Sequence, residues 1–473
     1  MRTLMLRLLE VGRAFATLLA AFLLSSATMA GPAPAPPHPN ILFILADDLG
    51  YGDVGCYGQQ RIQTPRLDQL AAHGVRFTQC YAGCTVCAPS RCCLMTGLTT
   101  GHARIRGNAR YPLEPQDLTV ARVLQQAGYR TALIGKWGLG EAGTTGAPTR
   151  QGFDEFFGYL NQAHAHNYYP SYLWRNETKV PLRNLVPNEN SQGGGVSVNR
   201  LDYSHDLFVQ EALAFLDRNQ RRPFFLELAL TIPHANDEAG QQGMEVPDDG
   251  PYAQKDWPTQ ERHKAAMITR LDRDVGRLLD RLHQLGLEQT TVVFFTSDNG
   301  PHREGGANPA FFQSSGPLRG IKRDMYEGGI RIPMIVRWPD HTHPGTVSTY
   351  AWAFWDFLPT AAALAGVTPP PRLDGVSVLP AILGKREAPH PYLYWEFHER
   401  GFQQALRMGD WKAVRLGPNR PLELYQLSSD PGEQHNVAAE HPRVVAKIER
   451  YLKTARTDSE HWPVKPARAR AGN

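Results

Sequence analysis

Four apolar runs set among helix-like stretches constrain the fold of this chain more than any other feature. Asn40–Ala46 is apolar at nearly every position, and Tyr129–Ile134, Pro223–Leu230 and Thr290–Thr296 are similar segments. Such runs mark strands covered on both faces, because a strand with one wet face alternates polar and apolar residues. The last three follow helical stretches: Val120–Ala127, stopped by Gly128, then Asp206–Asn219, then the long amphipathic Glu261–Leu285, closed by Gly286. Strands alternating with helices predict an α/β fold with a mostly parallel sheet sandwiched by helices. A chain of 473 residues has room for that body and a smaller appendage.

Polar residues stand at or just past each run. Asp47 and Asp48 follow the first, Lys136 the second, His234 the third, and Asp298 and Asn299 the fourth. Singly, each has a mundane reading as a helix cap, a surface charge, a loop histidine or a turn. In open parallel sheets, however, ligands bind beyond the carboxyl ends of the strands, so these groups are expected to converge on one site.

Between the first two strands lies Cys84-Thr85-Val86-Cys87-Ala88-Pro89-Ser90-Arg91-Cys92-Cys93. Cys84 and Cys87 form a C-x-x-C, which alone reads equally as a redox pair, a disulfide or half a zinc site. None of those readings needs Pro-Ser-Arg. Pro89 suits the first turn of a helix, which sets Cys87 at the positive helix end, and Arg91 one turn on can hold an anionic oxygen there.

The amino-terminal segment reads as an export signal. Arg2, Arg7 and Arg13 flank the apolar stretch Phe15–Leu24, and small residues lead to Ala30, so residues 1–30 are read as a cleaved leader and 31–39 as a Pro/Ala-rich linker. That stretch is too short to span a bilayer comfortably, and no later segment qualifies. The net charge is +4, of which the leader carries +2; this near-balance argues against a nucleic-acid partner. Six cysteines allow three bridges in an exported protein, but four crowd between Cys84 and Cys93, so at least one thiol is expected to stay unpaired.

The run Cys87-x-Pro89-Ser90-Arg91, followed by Leu94, Thr96 and Gly97, resembles the signature of the formylglycine-dependent sulfatases, in the alkaline phosphatase superfamily. The resemblance extends over nearly the whole mature chain. It implies an alkaline-phosphatase-like catalytic domain over 40–385 and a small C-terminal α+β subdomain with a basic tail over 386–473. The latter carries Gly409-Asp410-Trp411-Lys412, Glu423-Leu424-Tyr425, Asp430-Pro431-Gly432-Glu433 and Asn436. It also implies that Cys87 is oxidised to formylglycine by a maturation enzyme, and that Asp47, Asp48, Asp298 and Asn299 bind a metal beside it. Lys136 and Lys322 match sulfate-binding lysines, and His234 the acid to the leaving group.

The residue types suit that chemistry. Hard oxygen ligands fit calcium, the family's usual metal, or magnesium. Fixed positive charge from Lys136, Lys322 and Arg91 would stabilise a sulfuryl group in transit, with a protonated His234 donating to the ester oxygen. One position departs from the pattern. Many members have histidine two residues after the lysine, where this chain has Gly138; His164, His166 and His302 are the candidates to replace it. The expected function is sulfate monoester hydrolysis on a sulfated small molecule or glycan. Trp174, Tyr168, Tyr169, Trp395 and Trp257 are candidates to stack on sugar rings. Two alternatives are a formylglycine enzyme for phosphonate or phosphate diesters and a non-catalytic binder of sulfated glycans.

Overall fold

A computed structural model describes residues 38–386 and 388–465; the expected leader, most of the linker and residues 466–473 of the basic tail lie outside the described residues. Eleven strands form the main sheet. In chain order they are β1 (Asn40–Ala46), β2 (Val75–Tyr81), β3 (Arg130–Lys136), β4 (Glu155–Tyr159), β5 (Tyr172–Arg175) and β6 (Thr178–Pro181). Then come β7 (Phe224–Ala229), β8 (Thr291–Ser297), β9 (Arg331–Arg337), β10 (Thr346–Ser348) and β11 (Trp352–Ala353). Their spatial order is β10-β2-β9-β8-β1-β7-β3-β4-β5-β6, with β11 paired to β2.

The four apolar runs are its parallel centre, β8-β1-β7-β3. Every residue of β1 is buried, as a strand covered on both faces requires. One face packs under the helices Cys87–Thr96, Val120–Gln126 and Phe357–Leu364. The other packs under Pro65–Ala72, Ser204–Arg218 and Thr259–Gln284. Fully burying each large apolar side chain contributes about 1.5–3 kcal/mol, so these two layers hold the strands in one register.

That register decides where the site falls. Ala46 is level with Ser297, Leu45 with Ala229, and Ala229 with Gly135. The four carboxyl ends therefore finish side by side. Gly135 has φ 112°, and a Cβ there would lie 1.9 Å from the Ala229 carbonyl oxygen, so only glycine lets β3 approach β7 this closely.

A second, antiparallel sheet holds β12 (Leu393–Phe397), β13 (Gln403–Met408), β14 (Trp411–Arg415) and β15 (Glu423–Gln426). Helix Pro442–Leu452 covers it through Ile448 and Leu452, which pack with Tyr394, Leu406 and Leu424. Trp395 packs on Tyr81 and Trp355, and its indole N–H donates to the Ala82 carbonyl.

Several sequence expectations are corrected. Trp395, Tyr168 and Tyr169 are buried packing residues, unable to stack on a sugar. Trp174 lies on the β5–β6 hairpin under Lys179, and Trp257 packs against Phe311 and Phe312. The cysteines meet the expectation that at least one thiol stays unpaired: all six are free.

Candidate active site at the strand ends

Cys87 opens the helix Cys87–Thr96 and is buried beneath the ends of β1 and β3. Its Sγ lies 3.4 Å from Asp47 Oδ1. Residues four apart share a helix face, and Arg91 accordingly reaches the same pocket. Its Nε and Nη2 donate to Asp298 Oδ2 at 3.0 and 2.9 Å, and its Nη1 to the Lys136 carbonyl at 2.8 Å. Ser90, to which the sequence motif assigns no role, donates to the Asp298 carbonyl at 2.6 Å and accepts from Gly83 N–H at 3.0 Å. Asn108 Oδ1 accepts from the free Ala88 N–H of the first helical turn. These bonds fix the helix end against the strands.

Consecutive side chains of a strand point to opposite faces, yet Asp47 and Asp48 both face this pocket. Asp48 has φ 63°, a left-handed conformation that breaks the alternation just where β1 ends. Lys136 Nζ donates to Asp47 Oδ2 at 2.6 Å, and Lys322 Nζ to Asp48 Oδ2 at 2.7 Å. Lys322 arrives from a loop tied to the Cys87 segment, since its neighbour Arg323 N–H donates to the Thr85 carbonyl. Asn299 Nδ2 donates to Asp48 Oδ1 at 2.6 Å, and Asp298 Oδ1 accepts from Asp48 N–H at 3.1 Å.

His234 Nδ1 donates to the Ala235 carbonyl at 2.6 Å, which leaves Nε2 to accept from Lys322 at 3.1 Å. Tyr168 supports that loop, donating to the carbonyls of Thr231 and His234. All nine residues singled out by sequence and resemblance, Asp47, Asp48, Cys87, Arg91, Lys136, His234, Asp298, Asn299 and Lys322, thus lie in one buried network.

The three further histidines are spread differently. His166 and His302 both stack near His234, at centroid distances of 5.0 and 5.8 Å. His164 is buried against Tyr159 and Tyr172 and bonded to the Tyr172 carbonyl. The space beside Gly138 is filled by Gln162: a Cβ on Gly138 would lie 2.2 Å from its Nε2. Both amide atoms of Gln162 are buried without a partner. No sequence signal marked that glutamine.

The electrostatics show what the network lacks. Burial opposes ionisation of Asp47, but Lys136, with His234, Arg91 and Lys322 behind it, outweighs burial and holds the carboxyl well below its usual range. Burial and the neighbouring Asp47 push Asp298 up, against Arg91. Burial and then Asp47 push the Cys87 thiol well up, and burial and then Lys322 hold His234 well below the ordinary histidine value. Ligand atoms of Asp47, Asp48, Cys87 and His234 all lie within 4.8 Å of one another. Asn299 Oδ1 is buried with no partner. Crowded carboxylates and an orphaned carbonyl oxygen are the donor set of a hard divalent cation, so the residues present fit one.

Two openings adjoin the network. One of about 130 Å³ is lined by Ala88, Asn108, Gly138 and Gln162, and one of about 1000 Å³ by Lys322 and Arg323. Polar groups converging at strand ends, with a cysteine at a helix N-terminus, make a site for an anionic ester.

Comparisons with known proteins agree with that geometry. Residues 39–367 match the family model Sulfatase, and residues 321–458 match N-sulphoglucosamine sulphohydrolase, C-terminal. The chain is 35% identical to arylsulfatase A of Homo sapiens, over 89% of this chain and 88% of that protein. It is 30% identical to the N-acetylgalactosamine-6-O-sulfatase of Bacteroides thetaiotaomicron, over 89% and 93%. Among solved structures it is similar to Ps i-CgsB in complex with k-i-k-neocarrahexaose, with a TM-score of 0.76, 28% identity, and 88% and 92% coverage. The mixed sheet flanked by helices, with its small antiparallel companion, is the alkaline-phosphatase-like fold of these proteins. The chain belongs to the sulfatase family of sulfuric ester hydrolases.

Proposed function

We propose that this sulfatase is exported and hydrolyses sulfate monoesters of carbohydrates, using a formylglycine made from Cys87 and a divalent metal ion, calcium or alternatively magnesium. The observation that carries this reading is the meeting of Cys87, Asp47, Lys136 and Lys322 in one buried network. A thiol pushed up by burial is a poor nucleophile at neutral pH, which favours the converted side chain over cysteine itself. Cys87 is 2% exposed, so a maturation enzyme would act before the chain folds. Residues 1–30 are the proposed leader, 40–385 the catalytic part and 386–473 the C-terminal part. The carbohydrate preference rests on relatives such as the Bacteroides thetaiotaomicron N-acetylgalactosamine-6-O-sulfatase.

Asp47, Asp48, Asp298 and Asn299, with residue 87 beside them, would hold the metal, which would supply Lewis-acid polarisation at the nucleophile and the sulfate. The hydrated formylglycine supplies two hydroxyls, one to attack sulfur and one to help expel sulfate. The chain's own residues do the rest. Lys136 and Lys322 bind the sulfate oxygens, and Arg91, locked onto Asp298, keeps the field at the nucleophile positive. As the bond from sulfur to the ester oxygen breaks, the departing alcohol takes a proton from the His234–Lys322 pair. His234 accepts from Lys322 in this structure, so Lys322 is the adjacent donor from which Nε2 would draw the proton that it passes on.

The test combines mass spectrometry of the peptide containing residue 87, from the native host, with turnover of an aryl sulfate. The expected result is an aldehyde in place of the thiol. Turnover should fall about a thousandfold in Cys87→Ala, and on chelation it should fall and return with calcium. Full turnover by a protein that keeps an unmodified thiol would sink the reading.

A further inference from the structure

The larger opening beside the network is a cleft of about 1000 Å³ whose wall includes Lys322. Five arginines line it with Lys322: Arg303 from the loop after β8, Arg319 and Arg323 from the loop before β9, and Arg400 and Arg420 from the β12–β13 and β14–β15 loops of the small sheet. Two of the five are matched by acids. Arg323 pairs with Glu304 and Glu399, and Arg400 lies 3.6 Å from Asp324.

The other three are not. Arg319 has no direct carboxylate partner: it lies 3.8 Å over the Tyr326 ring and donates to the Tyr425 hydroxyl and the Glu433 carbonyl, with Glu423 behind both tyrosines compensating part of its charge. Arg303 and Arg420 are exposed, and their side chains have no hydrogen-bond or ion-pair partner among the described residues. Arg303, from a loop of the main sheet, and Arg420, from a loop of the small sheet, thus present unpaired planar cations on one concave surface that begins at the proposed sulfate site. Guanidinium groups match sulfate and carboxylate oxygens in pairs. A monosulfated aryl ester would leave them idle, because its one anion belongs at Lys136 and Lys322.

We propose that this cleft is a second anion subsite, binding a further sulfate or carboxylate on a polyanionic glycan while the scissile ester occupies the strand-end site. The proposal deepens, and rests on, the sulfatase reading given above. It makes the preferred substrate an oligosaccharide with at least two anionic groups.

The test uses the full chain with Arg303→Ala/Arg420→Ala and the conservative Arg303→Lys/Arg420→Lys. Two quantities are measured: kcat/KM on a nitrophenyl sulfate, and the Kd of an end-labelled chondroitin sulfate hexasaccharide at low and high salt. The alanine pair should weaken hexasaccharide binding about tenfold, with aryl sulfate turnover unchanged, which also shows that the variant is folded. The lysine pair should fall between, and wild-type binding should weaken as salt rises. Hexasaccharide binding that is equal in the alanine pair and the wild type, or indifferent to salt, overturns the cleft while leaving the sulfatase reading intact. Arginine-dependent binding in a formylglycine-bearing protein that releases sulfate from neither the hexasaccharide nor the aryl ester supports the cleft and overturns the sulfatase reading instead.

Discussion

At the scale of single residues, Gly138 and Gln162 act as one unit. Gly138 has φ 88°, a conformation that costs a residue with a Cβ about 1 kcal/mol or more. The Gln162 amide also fills the space where that Cβ would stand. Gly138→Ala is therefore expected to lower stability by about 1–3 kcal/mol. Gln162→Ala on this background should recover the part due to overlap and leave the part due to φ, so the two effects are not additive. Urea midpoints of the two single variants and the double variant measure this, and strict additivity would refute the packing argument. Residues such as Asp47, Asp48 and Lys136 are legible in the sequence because they stand together at the ends of several apolar strands, a coincidence that no single mundane reading covers. Gln162 and Ser90 are not, since an amide or hydroxyl in a loop or helix is ordinary until its neighbours are known.

Among the elements, the central strands were legible and the flanking ones were not. β1, β3, β7 and β8 fall within two residues of the expected runs because burial on both faces writes itself as continuous apolar sequence. β9 is hidden by Pro333, which cannot donate to a ladder. It is tolerated because the β2–β9 register shifts between Phe77 and Cys80, opposite that proline. β7 carries a different anomaly. Glu227 is buried in mid-strand, and its Oε2 has no partner. Burial pushes its pKa up to about 8, against a smaller opposing pull from Arg91. A carboxyl whose pKa is raised by folding destabilises the fold above its unfolded pKa, and the penalty grows until the pH reaches the folded value. Glu227→Gln should remove that penalty, on the order of 3 kcal/mol at pH 7. It should also flatten the dependence of Tm on pH between about 4.5 and about 8. A variant with the wild-type Tm profile across that window would show that Glu227 finds a partner as it ionises.

For the whole molecule, the junction between the two sheets contains one fully buried lysine. Lys412 on β14 is fully buried, with Nζ 2.9 Å from Glu327 Oε1 and 3.3 Å from Glu433 Oε1. Glu327 also accepts from Arg331 and Tyr81, whereas Glu433 accepts from the Glu327 N–H and has no other cation among the described residues. Burial opposes the charge on Lys412, and the two carboxylates outweigh it; burial likewise pushes Glu433 up, and Lys412 is the chief opposing charge. Removing one partner of a buried ion set leaves an uncompensated charge, which typically costs about 3–5 kcal/mol. Glu327 begins a helical turn only a few residues after Lys322, so loosening the junction reaches the loop that carries a proposed sulfate ligand. Lys412→Met should lower Tm by several degrees, with the small sheet unfolding before the large one, and should raise KM for an aryl sulfate more than it lowers kcat. Lys412→Met/Glu433→Gln should recover much of the stability, because the second change removes the stranded charge. A double-mutant cycle that gives no coupling between Lys412 and Glu433 would mean that the junction is held by its other contacts, the packing around Trp395 and the bonds of Arg106, Arg319 and Arg407, and not by this ion set.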